Sequence, residues 1–112
     1  MSIVAINLGT LTSASSAASV RPEDTNSRFQ RGDSVLAVIQ PTNGAFVGTA
    51  KIQGSNDLDS LSDGSVVWTD LLTFTAPAGN SGSKCAVIQA YRRMRVAVSA
   101  YTSGSVDGLL LS

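Results

Sequence analysis

Histidine is absent from this chain, and cysteine, tryptophan and charge are scarce. Without His there is no imidazole to act as general base, proton shuttle or metal ligand near neutral pH. A single Cys excludes an internal disulfide and any thiolate zinc site. Charged residues make up 14% of the chain, against about 25% in a typical soluble domain. Eight Lys+Arg balance eight Asp+Glu, so the basic footprint that nucleic-acid binding needs is missing. No Lys or Arg precedes Arg21, so the basic start of a signal peptide is missing too. No apolar run approaches the ~20 residues of a membrane-spanning helix. These absences point to synthesis in a reducing cytoplasm and to no membrane partner. Little repulsion keeps copies of such a neutral chain apart. The composition therefore favours a binding or structural protein over an enzyme.

What is present is β-forming sequence in a chain of 112 residues, enough for one domain. Ile3, Val4, Ile6, Leu8 and Leu11 give residues 2–11 the texture of a short strand. Residues 12–19 are almost all Ser, Thr and Ala; the serine hydroxyls compete for backbone partners, which opposes helix and predicts an extended connector. Residues 21–33 are polar and carry Pro22, and read as irregular. Val35-Leu36-Ala37-Val38-Ile39 is a continuous apolar run, the pattern of a strand covered on both faces. Pro41-Thr42-Asn43-Gly44 reads as a turn. Beyond it Phe46, Ala50 and Ile52 share one face of the next strand, with Gly48 as a candidate bulge.

Residues 54–65 form a polar loop. Residues 66–76 then alternate, with Trp68, Leu72 and Phe74 on one face; Trp68 is expected in the core beside Phe46 and Phe74. Strict alternation would also put Asp70 on that face, so a bulge is predicted there. After a Gly/Ser-rich connection at 77–83, residues 85–90 form another apolar strand, in which Cys85 is expected to be buried and inert. Residues 91–101 alternate most clearly: Met94, Val96, Val98 and Ala100 on one face, Tyr91, Arg93, Arg95, Ser99 and Tyr101 on the other. Thr102-Ser103-Gly104-Ser105 reads as a turn into a last strand at 106–111. Six to eight short strands joined by Gly/Ser turns predict an all-β fold.

No residue set reads as catalytic. There is no Gly-x-Ser-x-Gly elbow, and the glycines at 79–82 lack the Gly-Lys-Ser/Thr of a phosphate loop. Asn56, Asp57, Asp59 and Asp63 supply oxygens within one loop, but without the EF-hand's Gly and Glu positions; a solvated turn is expected, and no metal or cofactor. Arg31-Gly32-Asp33 spells an integrin tripeptide, for which a turn feeding the strand at Ser34 is the expected role. The Tyr91, Arg93, Arg95 and Tyr101 face carries the residue types that interfaces enrich.

Two stretches carry a resemblance. Ile52-Gln53-Gly54-Ser55-Asn56-Asp57, followed by Asp63-Gly64-Ser65-Val66-Val67-Trp68-Thr69-Asp70-Leu71, and the later Tyr91-Arg92-Arg93-Met94-Arg95-Val96, resemble elements of discoidin-like β-sandwiches. Together with Ala100-Tyr101-Thr102-Ser103-Gly104-Ser105-Val106 they are also similar to small jelly-roll virion proteins of tailed bacteriophages. The strand pattern predicts an antiparallel β-sandwich or barrel at 34–112, which the second resemblance makes a jelly-roll-like β-sandwich, preceded by an N-terminal extended arm and irregular connector at 1–33. It implies a capsid decoration (cement) protein on the virion surface, a homotrimer bound between major capsid subunits. The expected contacts are Ile3, Val4, Ile6 and Leu8 on the arm and Tyr91, Arg93, Arg95 and Tyr101 on the sheet. A phage tail, neck or fibre component and a discoidin-like carbohydrate-binding module are the alternatives.

Overall fold

A computed structural model describes residues 5–25, 29–30, 32–56, 61–76 and 84–111. They form one antiparallel sheet of five strands: β1 Ala5–Leu11, β2 Ser34–Ser55, β3 Thr69–Ala76, β4 Lys84–Gln89 and β5 Arg93–Leu111. A single helical turn, α1 Pro22–Thr25, opens on proline, whose fixed φ suits the first helical position.

The two longest strands organise everything else. β2 and β5 pair with each other from Leu36↔Leu111 to Ser55↔Arg93. On the far edge of β2, β4 pairs with its first half and β3 with its second, in tandem. On the far edge of β5, β1 pairs with the last half. Isolated bridges at Ser16↔Ala97 and Val20↔Met94 line the first half. The protein is thus four antiparallel ribbons side by side, each crossing the molecule once.

All four ribbons bend at one crease. Pairing of β2 with β5 shifts register between Thr42 and Val47, again at Gly48, and again between Thr49 and Ala50. Gly104 on β5 and Gly48 on β2 take positive φ, 85° and 151°, which suits residues without a Cβ. The Thr42 and Ser105 hydroxyls hydrogen-bond across the bend. The ladder along β5 breaks between Leu11 and Ser16, and the one along β2 between β3 and β4. The sequences Pro41-Thr42-Asn43-Gly44 and Thr102-Ser103-Gly104-Ser105, expected to reverse the chain, instead lie within continuous strands. Bulged residues bend a strand without reversing it, and in place of the predicted six to eight short strands the described residues hold five.

Bending brings the halves face to face, and the sheet nearly closes into a barrel of 38 × 37 × 17 Å. One core fills the space between them. Ile6, Leu8, Val35, Ala37, Ile39, Val106 and Leu110 come from the first half, and Phe46, Ala50, Ile52, Leu72, Phe74, Met94, Val96 and Val98 from the second. Phe46 and Phe74 stack with ring centroids 6.4 Å apart. The closest approach is at Gly108: a Cβ there would stand 2.7 Å from Val96 Cβ.

The N-terminal segment is not a free arm. Ile6 and Leu8 are 3% and 2% exposed in the chain's own core, because β1 pairs with β5 and turns alternate residues inward. Phe29 and Pro22 are fully buried as well. A boundary at residue 33 therefore cuts through one packed unit.

Candidate interaction surfaces

Since the inner faces meet in the core, what this chain offers a partner is its two outer faces and its sheet edges. Partners directly opposite in an antiparallel ladder point to the same side, so the register lays out each face in rows.

The second half, built from β3 and the crease-distal parts of β2 and β5, has a polar outer face. Arg95, Gln53 and Asp70 form one row and Ala97, Lys51 and Thr73 the next. Arg95 Nε donates to Gln53 Oε1 at 2.8 Å, and Gln53 Nε2 donates to Asp70 Oδ1 at 2.8 Å. Lys51 Nζ donates to Asp70 Oδ2 at 2.9 Å. The bulge predicted at Asp70 is present: register shifts where Ile52 and Gln53 face Leu72 and Asp70. It leaves Leu72 and Phe74 in the core and turns Asp70 outward.

The same parity change takes Trp68 out of the core position expected for it. Its half-buried indole lies outside, with the Arg95 guanidinium carbon 4.2 Å from the ring centroid, a cation–π contact. Trp68 Nε1 donates to the Asp63 carbonyl at 3.0 Å. The Asp63 carboxylate accepts from both Ser19 N and Ser19 Oγ, at 2.9 and 2.7 Å. Residues 61–68 are therefore strapped over the ribbon edge and tied to the N-terminal segment. Partial burial raises the Asp63 pKa, but the Ser19 hydrogen bonds and the charges of Arg93 and Arg95 outweigh it, and the net shift is downward. Asp70 is lowered by its bonds to Gln53 and Lys51. Burial lowers Arg95, partly offset by the Asp63 charge.

This network redefines the residues expected at an interface. Arg93 is 6% exposed; its Nη2 donates to the Leu61 carbonyl at 2.5 Å, and its buried Nη1 has no hydrogen-bond partner. Arg95 is engaged by Gln53 and Trp68 within the chain. Tyr91 packs against the core beside the Gly54 backbone, where a Cβ on Gly54 would stand 2.7 Å from the ring. Gly54 thus serves close packing near the end of β2. Tyr101 does not share the arginine face. Ser99 is unpaired in the ladder, so alternation resets, and Tyr101 turns inward against Phe46 with ring centroids 6.4 Å apart. Its hydroxyl donates to Gly104 O at 2.9 Å.

The first half presents the opposite chemistry. Ala5, Leu111, Leu36 and Val87 form one outward row, and Asn7, Leu109, Val38 and Cys85 the next. Neither row contains a charge. Leu36, Leu109 and Leu111 are half-buried, Val38 is buried, Cys85 is exposed and Val87 is 72% exposed. Cys85 is therefore not the buried thiol expected from its apolar setting. Sequence texture alone missed this face, because an apolar run covered on two sides and one covered on a single side read alike.

The loop residues act as anchors. Asn56 Oδ1 accepts from Arg92 N at 2.8 Å, and Asp63 receives Ser19. Gly32 N donates to Ala90 O and Ala90 N donates to Asp33 O, each at 2.8 Å, so the Gly32–Asp33 turn feeds β2. Ile3, Val4, Arg31, Asp57, Asp59 and the 77–83 connection lie outside the described residues. No protein-family model matches this chain, and no curated protein or solved structure is significantly similar to it.

Proposed function

We propose that this chain is a structural protein of a virion, a capsid decoration protein that seats its apolar outer face on the major capsid protein and stabilises the shell. The observation that carries this reading is the pair of uncharged outward rows around Leu36, Leu109 and Leu111. A contiguous apolar face on a small domain marks a surface that another protein covers. Burying it at a junction between subunits adds apolar contact at about 25 cal/mol per Å² and resists separation of the lattice. The resemblance of residues 52–71 and 91–106 to phage jelly-roll virion proteins supports the setting. In that setting the chain is made in the host cytoplasm and ends on the particle surface. A tail or neck position would use the same face, and labelling on intact particles separates the two.

The test is occupancy on purified shells that lack the protein. Leu109→Lys places a charge at the centre of the face while leaving the inner core untouched. Binding is expected to weaken at least about tenfold, the equivalent of 1.4 kcal/mol, with an unchanged far-UV spectrum. Equal occupancy by the folded variant would sink the proposal.

A further inference from the structure

Among the described residues, β4 pairs only with β2, so its other edge carries unpaired backbone groups. Soluble proteins guard such edges with proline, bulges, charge or short length, because an open edge templates pairing with another chain. The other edges here are guarded. β1 is bulged between Asn7 and Gly9, and β3 shows Asp70, Thr73 and Thr75 at its surface. β4 has no such device. Its sequence, Lys-Cys-Ala-Val-Ile-Gln, holds no proline, glycine or acid, and its six residues pair with β2 without a register shift. The single charge is Lys84, whose Nζ donates to the Thr73 carbonyl of the chain's own β3 at 2.9 Å. The residue that could guard the edge is folded back along it.

We propose that β4 is the strand through which two copies of this chain pair, edge to edge and antiparallel, about a two-fold axis at Val87. The occupant follows from geometry and charge. A two-fold axis perpendicular to the sheet keeps outer faces outer, so each residue must oppose one of its own parity. Val87 is the most exposed large apolar residue on any of the five strands. Centring there sets Val87 against Val87, Ala86 against Ile88 and Cys85 against Gln89 of the second copy. Each contact is then made twice, as an isologous interface requires. The only charges on the strand, the two Lys84 side chains, fall at opposite ends, roughly 20 Å apart at about 3.4 Å per residue. That is well beyond the ~8 Å screening length. A parallel arrangement would stack them. The expected unit is therefore a dimer, in place of the three-fold assembly that the phage resemblance implied. This inference does not rest on the shell reading: pairing is read from sedimentation of the chain alone, and docking from occupancy on shells.

A six-residue edge buries less than the ~1,200 Å² of a standard stable interface, so reversible dimerisation at micromolar or higher concentration is expected. Sedimentation velocity over a concentration series of the full chain should show a monomer–dimer equilibrium. Val87→Lys, at a side chain that the monomer leaves exposed, sets two like charges face to face. It should weaken the dimer at least about tenfold with an unchanged far-UV spectrum. In a Cys85→Ser background, Val87→Cys should give a disulfide-linked dimer on mild oxidation, because opposed antiparallel residues lie about 4.5–5.5 Å apart at Cα, within disulfide reach. Cys85 of the unaltered chain should not cross-link to its mate, roughly 14 Å away along the strand. A chain that stays monomeric throughout, a Val87→Lys protein that dimerises as before, or cross-linking through Cys85 but not in the Val87→Cys variant would each overturn the proposal. So would protection of the β4 amides from hydrogen exchange only when a different protein is added.

Discussion

The two outer faces of this sheet are built from the same two strands and differ completely in chemistry. On the second half, β2 and β5 present Lys51, Gln53 and Arg95, which bond to one another and to Asp70 and Trp68. On the first half they present Leu36, Leu109 and Leu111, in rows that hold no charge. The crease is the boundary. A fold built from short hairpins would spread polar and apolar residues strand by strand. Long bent strands change chemistry part-way along, so one half carries a bonded polar face and the other an uncharged one.

The largest expected effect comes from forcing the halves apart. Gly108→Val places its side chain against Val96, where the halves meet most closely. Overpacking of this kind costs about 2–3 kcal/mol, and roughly 4–8 °C of melting temperature per kcal/mol is expected for a domain of this size. Thermal melts of both proteins check it. An unchanged melt would mean that the two faces do not depend on a shared, tightly packed interior.

Next comes the buried guanidinium beneath the polar face. Arg93→Ala leaves the Leu61 carbonyl without its donor and opens space, a loss of about 1–3 kcal/mol. Arg93→Met loses the same donor to Leu61 O but keeps the stem and removes the unpartnered Nη1, so it should lose less than Ala, since apolar replacement of a buried charge is often close to neutral. Urea denaturation of the pair separates packing from charge. A loss for Met as large as that for Ala would show that the polar head, and not the packing of the stem, carries the contribution of Arg93.

The smallest effect is acid sensitivity of the polar face. The Asp63 and Asp70 pKa values are lowered in the folded chain. Their contribution is therefore present above the unfolded carboxylate value of about 3.9 and is lost as pH falls through the folded values. Asp70 is the more exposed of the two, so solvent screening reduces its share. Asp63→Asn should flatten the decline in stability below about pH 4 and weaken the tie to Ser19 at neutral pH. A parallel decline in both proteins would remove Asp63 from the account.

Much of the fold was legible in the sequence, and the exceptions share a cause. Period-two alternation placed Phe46, Ala50, Ile52, Leu72, Phe74, Met94, Val96 and Val98 on inward faces, where they are. Gly48 and Asp70 marked real irregularities of register. The misplaced residues lie just past such irregularities. Trp68 and Tyr101 each follow the expected alternation until one unpaired residue reverses it. Asn43-Gly44 and Gly104 carry the local chemistry of reversal, yet here they serve a bend, because a turn and a bulge need the same backbone freedom and differ only in what the next residues pair with. The fate of β1 was hidden for a related reason. Its partner lies about a hundred residues away along the chain, and no local pattern distinguishes a strand with a distant partner from an arm with none. Arg93 and Arg95, expected at an interface, bond within the chain to Leu61 and Gln53, since interface-prone residues are equally suited to clasping a neighbouring segment.

The pairing of Ala5 with Leu111 has a consequence in time. β1 cannot find its place before residue 111 has been synthesised. At about 5–20 residues per second on the ribosome, β1 waits roughly 5–20 s with its Ile6 and Leu8 side chains unclaimed. Once its partner exists, a topology dominated by such distant pairings places folding in the millisecond-to-second range rather than the microsecond range. For the newborn chain, synthesis and not the final pairing therefore sets when β1 is claimed.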